Sequence, residues 1–223
     1  MWGRHSWRRA GFQAGLRFFG RAPHYDGVAF YERRLPHWHP TGKDIFITWR
    51  LHGTLPRNRF IPPGGLTSGH AFAWIDRYLD TAAHGPSWLR TPEIAQSVAS
   101  ALEHAQDELR RYVLYAYVVM PNHVHILISP KHPLPAIMQS LKGFTAREAN
   151  RILDRTGQSF WQRESYDHWV REGEFDKIRR YIELNPVVAG LATEPHLYAW
   201  SSAARRESGL KAGSPAPPAP LGR

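Results

Sequence analysis

Two histidines one residue apart, His123 and His125 in the run MPNHVHILISP, have the residue type and spacing needed to hold a metal ion. Side chains alternate along a strand, so both imidazoles project to one face while Val124 and Ile126 take the other. Two rings about 7 Å apart along a strand can converge on one ion. The same pattern also suits histidines that only satisfy hydrogen bonds on a half-buried face. Zinc hydrolases built on His-x-His add Asp and a further His soon after it. Here Ile126, Leu127 and Ile128 follow, which counts against a preassembled three-histidine zinc site.

A second pair with chemical potential lies in YIELNP, where Tyr181 and Asn185 are four residues apart. At 100° per residue, Phe175, Ile178 and Ile182 fall within about 60° of one another and form a buried stripe. Asp176, Arg180 and Glu183 then lie on the opposite, solvated side. Tyr181 and Asn185 stack on one flank of the stripe, at the border of core and solvent, where an active-site side chain belongs. A packed ring with a wet hydroxyl, and a helix-terminal amide before proline, would account for the same two residues structurally.

Several elements must position these groups. Lys43 to His52 (KDIFITWRLH) reads as a strand, and LPRNRFIPPGG after it as a loop. Ser68 to Asp80 is predicted as a short helix bearing Phe72, Ile75 and Leu79. A longer helix starts near Thr91, with Pro92 in its first turn, and carries Ile94, Val98, Leu102, Ala105 and Leu109 at spacings of three and four. Val113 to Met120 and His123 to Ser129 form a tight antiparallel hairpin about Pro121 and Asn122. A helix from Leu134 to about Leu153, a strand from Tyr166 to Arg171 and a helix from Glu172 to Leu184, ended by Pro186, complete the pattern. The order implies an α+β fold with a ferredoxin-like core: a mostly antiparallel sheet, helices on one face, and the histidines on a central hairpin strand.

A chain of 223 residues with 42% hydrophobic content supports one sizeable core. We expect a basic extension over residues 1–30, a domain over 31–205 and a Pro/Ala-rich disordered tail over 206–223. The extension is rich in Arg, Trp and Phe, which suits an organellar presequence, a nucleic-acid-binding arm or an upstream start codon equally well. There is no cysteine, which excludes disulfides, thiolate metal sites and cysteine nucleophiles. No apolar run approaches the roughly 20 residues of a bilayer span, so no membrane association is expected. Lys and Arg outnumber Asp and Glu by 29 to 19, a net charge of +10 that favours a polyanion such as nucleic acid.

Taken together, MPNHVHILISP, WQRESYDHWVR and YIELNPVVAGL, with YERRLPHWHPTGKDIFITWRLHGTLP near the start, resemble the REP-associated tyrosine transposases. These form a branch of the HUH single-strand DNA transposases and carry the IS200-like transposase domain. The resemblance runs from about Tyr31 to Trp200. It implies that His123 and His125 bind a divalent cation, that Tyr181 is the nucleophile and that Asn185 is the third metal ligand. An amide oxygen suits a hard ion, so Mg²⁺ or Mn²⁺ is expected rather than zinc. The implied activity is nicking and joining of single-stranded or hairpin DNA at repetitive extragenic palindromes through a 5′-phosphotyrosine, in a bacterial cytoplasmic, nucleoid-associated setting. The enzyme would act as a monomer or homodimer. Lys142, Arg147, Trp161 and Arg163 are candidate DNA contacts, since cations can follow a backbone and aromatics can stack bases. A non-catalytic single-strand-binding module is the alternative that composition alone allows.

Overall fold

The strand β3 (Ile45–Arg50) shows why the fold has two cores rather than one. In a computed structural model of the chain, Ile45, Ile47, Trp49 and Leu51 enter one buried cluster, while Phe46 enters another. The structure describes residues 28–32, 36–40, 42–55, 68–81 and 84–207. The expected extension over 1–30 and tail over 206–223 lie almost wholly outside them.

The remaining elements are β1 (Val28–Glu32), β2 (Pro36–Pro40), α1 (Ser68–Asp80), α2 (Pro92–Asp107), β4 (Tyr112–Val119), β5 (His123–Pro130), α3 (Leu134–Ile152), β6 (Tyr166–Trp169), α4 (Phe175–Val188) and α5 (Ser202–Glu207). β1 and β2 pair with each other as an antiparallel two-stranded sheet. The main sheet has the order β4-β5-β3-β6, and every pairing in it is antiparallel. With α2 and α3 as its crossover helices, this is the β-α-β-β-α-β arrangement of a ferredoxin-like core, as the sequence implied.

The helices, however, cover both faces of the sheet rather than one. α2 and α3 bury Ile94, Val98, Leu102, Ile137 and Leu141 against Ile47, Val124 and Ile126. On the other face α4 buries Ile182, with Phe175, Ile178 and Phe72 of α1 packed beside it, against Phe46, Val118 and Leu127. The strands require this. Their apolar residues occupy both parities, the pattern of a sheet covered on two sides. In β4 the parity also shifts at a bulge between Leu114 and Ala116, so Tyr112 and Leu114 share a core with Tyr117 and Val119.

A second difference concerns Pro186, which was expected to end the last long helix. α4 continues through it to Val188. A proline inside a helix forfeits one backbone hydrogen bond, but the ring is buried here and the ladder resumes as the Ala189 N–H donates to the Asn185 carbonyl at 3.0 Å. Asn185 is therefore an internal helical residue with a fixed side-chain direction.

The short helix α5 is held by a buried ion pair in which Arg205 Nε lies 2.9 Å from Glu103 Oε1 on α2. The Tyr117 hydroxyl donates to the same carboxylate oxygen at 2.7 Å. Replacing Arg205 by Ala leaves a buried carboxylate without its cation, so we expect a loss of about 3–5 kcal/mol in urea unfolding. A loss of under about 1 kcal/mol would show that water reaches Glu103.

Candidate active site

The site is assembled on the sheet face covered by α1 and α4. His123 and His125 are both wholly buried there. Each ring is fixed from behind through Nδ1. His123 Nδ1 lies 2.6 Å from Asn122 Oδ1, and Asn122 Nδ2 donates to the Leu79 carbonyl at 2.9 Å. That second bond leaves Oδ1 as the acceptor, so His123 carries its proton on Nδ1 and presents a bare Nε2. His125 Nδ1 lies 2.6 Å from the hydroxyl of Thr48, its cross-strand partner on β3. A hydroxyl can accept or donate, and the tautomer in which Thr48 accepts leaves His125 Nε2 bare as a metal ligand requires. The two Nε2 atoms are 3.0 Å apart.

Helix α1 brings a carboxylate to the same point. Asp76 Oδ1 lies 3.3 Å from His125 Nε2 and 3.7 Å from His123 Nε2. One turn further on, Asp80 Oδ1 lies 3.7 Å from His123 Nε2. From α4, Asn185 places Nδ2 at 3.4 Å from His125 Nε2 and 3.5 Å from Asp76 Oδ2. The Tyr181 hydroxyl, one helical turn before it, donates to Asp76 Oδ2. The tyrosine ring packs edge-on to Phe46, Phe72 and His125 and is still 37% exposed. Tyr181 thus faces the histidines on one side and solvent on the other.

Charge is poorly tolerated in this pocket. Burial pushes the Asp76 carboxyl up to about 8, helped by the charge of Asp80 and opposed by the hydrogen bond from Asn185. Burial likewise raises Asp80 to about 7. It lowers His123 to about 3, and lowers His125 well below the usual histidine range with the help of His123. Asp76 Oδ1, Asp80 Oδ1 and Asn185 Oδ1 are buried without hydrogen-bond partners. Converging lone pairs and orphaned oxygens mark a place that a cation would complete. Asp76, His123 and His125 each offer a ligand atom, all within 4.8 Å of one another, and a flip of the Asn185 amide would turn its oxygen to them in place of Nδ2. The donor set of imidazole, carboxylate and amide fits a divalent ion.

Of the residues singled out from sequence, His123, His125, Tyr181 and Asn185 are brought together. Asp76 was missed, and so was Asp80. A signal was present, because Asp76 is four residues after Phe72 and three before Leu79, a charge set among the apolar positions of its helix. The four candidate DNA contacts lie elsewhere, on α3 and the segment 158–165. Trp161 is buried, packed edge-on to Trp49 and Phe160, with its indole N–H donating to Thr145 Oγ1 at 2.9 Å. The Lys142 ammonium donates to the carbonyls of Gln162 and Arg163. Arg147 and Arg163 line the surface hollows described below.

The Asp76 carboxyl binds its proton more tightly in the folded chain than in the unfolded one, so without metal it costs stability as pH rises from about 4 toward 8. In chelator, Asp76→Asn is expected to melt several degrees above the parent at pH 8, with the gap closing toward pH 4. Stabilisation by added Mn²⁺ should be lost in the same variant. Equal melting at pH 8 would mean that the carboxylate is already compensated.

No curated protein matches the chain by sequence. Among solved structures the chain is similar to a REP-associated tyrosine transposase bound to a REP hairpin, with 18% identity, a TM-score of 0.49, and coverage of 81% of this chain and 88% of that one. It is also similar to a candidate transposase from Deinococcus radiodurans R1, with 16% identity, a TM-score of 0.31, and coverage of 64% and 89%. The sequence pattern of the family described as "Transposase IS200 like" matches residues 87–185. Through that segment, which holds both histidines, Tyr181 and Asn185, the chain matches the IS200-like transposase family.

Proposed function

We propose that the chain is a metal-dependent enzyme that nicks and joins single-stranded or hairpin DNA, with residues 31–205 as its catalytic domain and Tyr181 as its nucleophile. One observation carries the reading. A single buried carboxylate, Asp76, receives the Tyr181 hydroxyl on one oxygen and faces both imidazoles with the other. That arrangement couples a nucleophile to a cation site.

His123, His125, Asp76 and Asn185 are the residues that would hold the ion, Mg²⁺ or Mn²⁺ in this reading. When bound, such an ion neutralises a phosphate oxygen and orients the phosphorus. The chain does the rest. Asn122 and Thr48 keep both rings aimed inward through Nδ1. Phe46 and Phe72 wall the tyrosine ring, limiting its motion and keeping water from its inner side. Phenol has a reference pKa near 10, so its proton needs an acceptor, and Asp76 Oδ2 already accepts that hydrogen bond.

Tyr181 Oη then forms a bond to phosphorus as the bond from phosphorus to the 3′ oxygen breaks. A 3′ hydroxyl leaves, and a 5′-phosphotyrosine remains. Attack by another 3′ hydroxyl reverses the sequence and frees the tyrosine. The ester conserves the energy of the broken bond, which water as nucleophile would dissipate. The hairpin substrate, the extragenic palindromes and the nucleoid setting rest on the sequence resemblance. Among the described residues, no helix is long and apolar enough to cross a membrane.

The test is covalent capture. Labelled single-stranded hairpin DNA with Mg²⁺ or Mn²⁺ should give a denaturant-resistant adduct with the parent chain and none with Tyr181→Phe. Asp76→Asn should slow its formation by at least about a hundredfold, in the range expected when a catalytic acid or base is lost. An adduct that survives Tyr181→Phe, or that forms unchanged in chelator, overturns the proposal.

A further inference from the structure

On the sheet face opposite Tyr181, the outer side of α3 is crossed by two hollows. One, of about 550 Å³, lies between α3 and the segment 158–165. The other, of about 540 Å³, lies between α3 and α2. Both are lined by Gln139 and Gly143, so they meet at a saddle on the helix. The saddle exists because Gly143 has no side chain. A Cβ built there would meet only the Arg147 guanidinium, at 3.6 Å, and that group folds back over the glycine from the next turn.

The charge of this surface is one-sided. Lys142, Arg147 and Arg163 line the hollows, and no Asp or Glu does. Among the described residues the guanidinium groups of Arg147 and Arg163 make no ion pair or hydrogen bond. Large apolar groups stand at the rim, with Phe144 46% exposed and Leu109 44% exposed. Concave, acid-free and cationic, with an exposed ring beside it, the surface has the features of a groove for a single-stranded polyanion.

The groove also leads toward the nucleophile. Ser165 lines the first hollow, and the next residue, Tyr166 on edge strand β6, stacks on Phe72 with centroids 4.2 Å apart. Phe72 in turn packs against Tyr181. One residue of an edge strand therefore separates the groove from the aromatic wall of the catalytic site.

We infer that the Gly143 saddle is a second DNA-binding site, which holds the single strand flanking the scissile phosphate. Arg147 and Arg163 meet its phosphates, Phe144 stacks a base, and Gly143 lets the backbone approach the helix. The inference rests on the DNA-processing reading of the Tyr181 site for its ligand, not for its geometry.

The test is fluorescence anisotropy of a labelled oligothymidylate of roughly 20 nucleotides with the full chain in chelator, over a salt series. Arg147→Glu with Arg163→Glu should weaken binding at least tenfold and flatten the salt slope by about 0.7 for each phosphate no longer neutralised. Gly143→Leu, which improves helix propensity and displaces only a flexible arginine end, should fill the saddle, cost a similar factor and leave melting unchanged. Arg151→Glu, on the same helix but outside the lining and paired with Glu148, should cost less than about threefold, as expected for an exposed pair. Full-strength binding by the groove variants, or an equal loss in Arg151→Glu, overturns the inference. Groove-dependent binding without any covalent adduct would sink the catalytic proposal alone, and adduct formation with groove-independent binding would sink this one alone.

Discussion

Two imidazole nitrogens 3.0 Å apart in a wholly buried pocket form the constraint on which the rest of this face depends. Lone pairs confronted at that distance repel, so the gap suits either the Nε2 proton of one neutral ring or a cation, since burial disfavours an imidazolium. The surrounding elements are arranged as if for the second solution. Thr48 and Asn122 hold the rings from behind, and Asp76, Asp80 and Asn185 direct oxygens or an amide at the gap. Such a cluster lowers stability when metal-free, because orphaned buried polar groups are expensive. The adjoining core of Phe46, Val118, Leu127 and Ile182 supplies apolar burial to offset it.

This cost explains the two-faced sheet. A ferredoxin-like core needs helices on one side only, and α2 with α3 already complete that side. The second face would leave His123 and His125 in water, where their desolvation and fixed tautomers would be lost. α1 and α4 close it, and each brings one half of the chemistry. The carboxylates come from α1, the tyrosine and amide from α4. Tyr181 keeps its exposed edge because it lies on the flank of the α4 stripe, not at its centre. Continuation of α4 through Pro186 matters for the same reason. It keeps Asn185 inside the helical ladder, one turn after Tyr181 and at a set angle to it.

Much of this was legible in the chain. Strand alternation placed both histidines on one face. The 3.6-residue period placed Tyr181 and Asn185 on the flank of a stripe, and the hairpin about Pro121 and Asn122 followed from turn chemistry. Less legible was the contribution of α1. Asp76 is separated from His123 by a whole helix and a strand, and no local period connects it with them. Its position among Phe72 and Leu79 marked a buried charge but not its partner. Trp161 and Lys142 looked like nucleic-acid contacts from composition, yet their side chains serve first to fasten the segment 158–165 to α3.

By itself the sequence determined the element order, the parity of the histidines, the helical flank of the tyrosine and the sign of the surface charge. These are consequences of backbone periodicity and side-chain type, which act over a few residues. Only the tertiary structure decided which carboxylate meets the imidazoles, that helices cover both sheet faces, and that Gly143 opens a saddle between α2 and the segment 158–165. Those outcomes depend on packing between elements distant in the chain. Close-packed apolar surfaces choose a single angle and register there, and buried polar groups accept it only where their partners happen to converge.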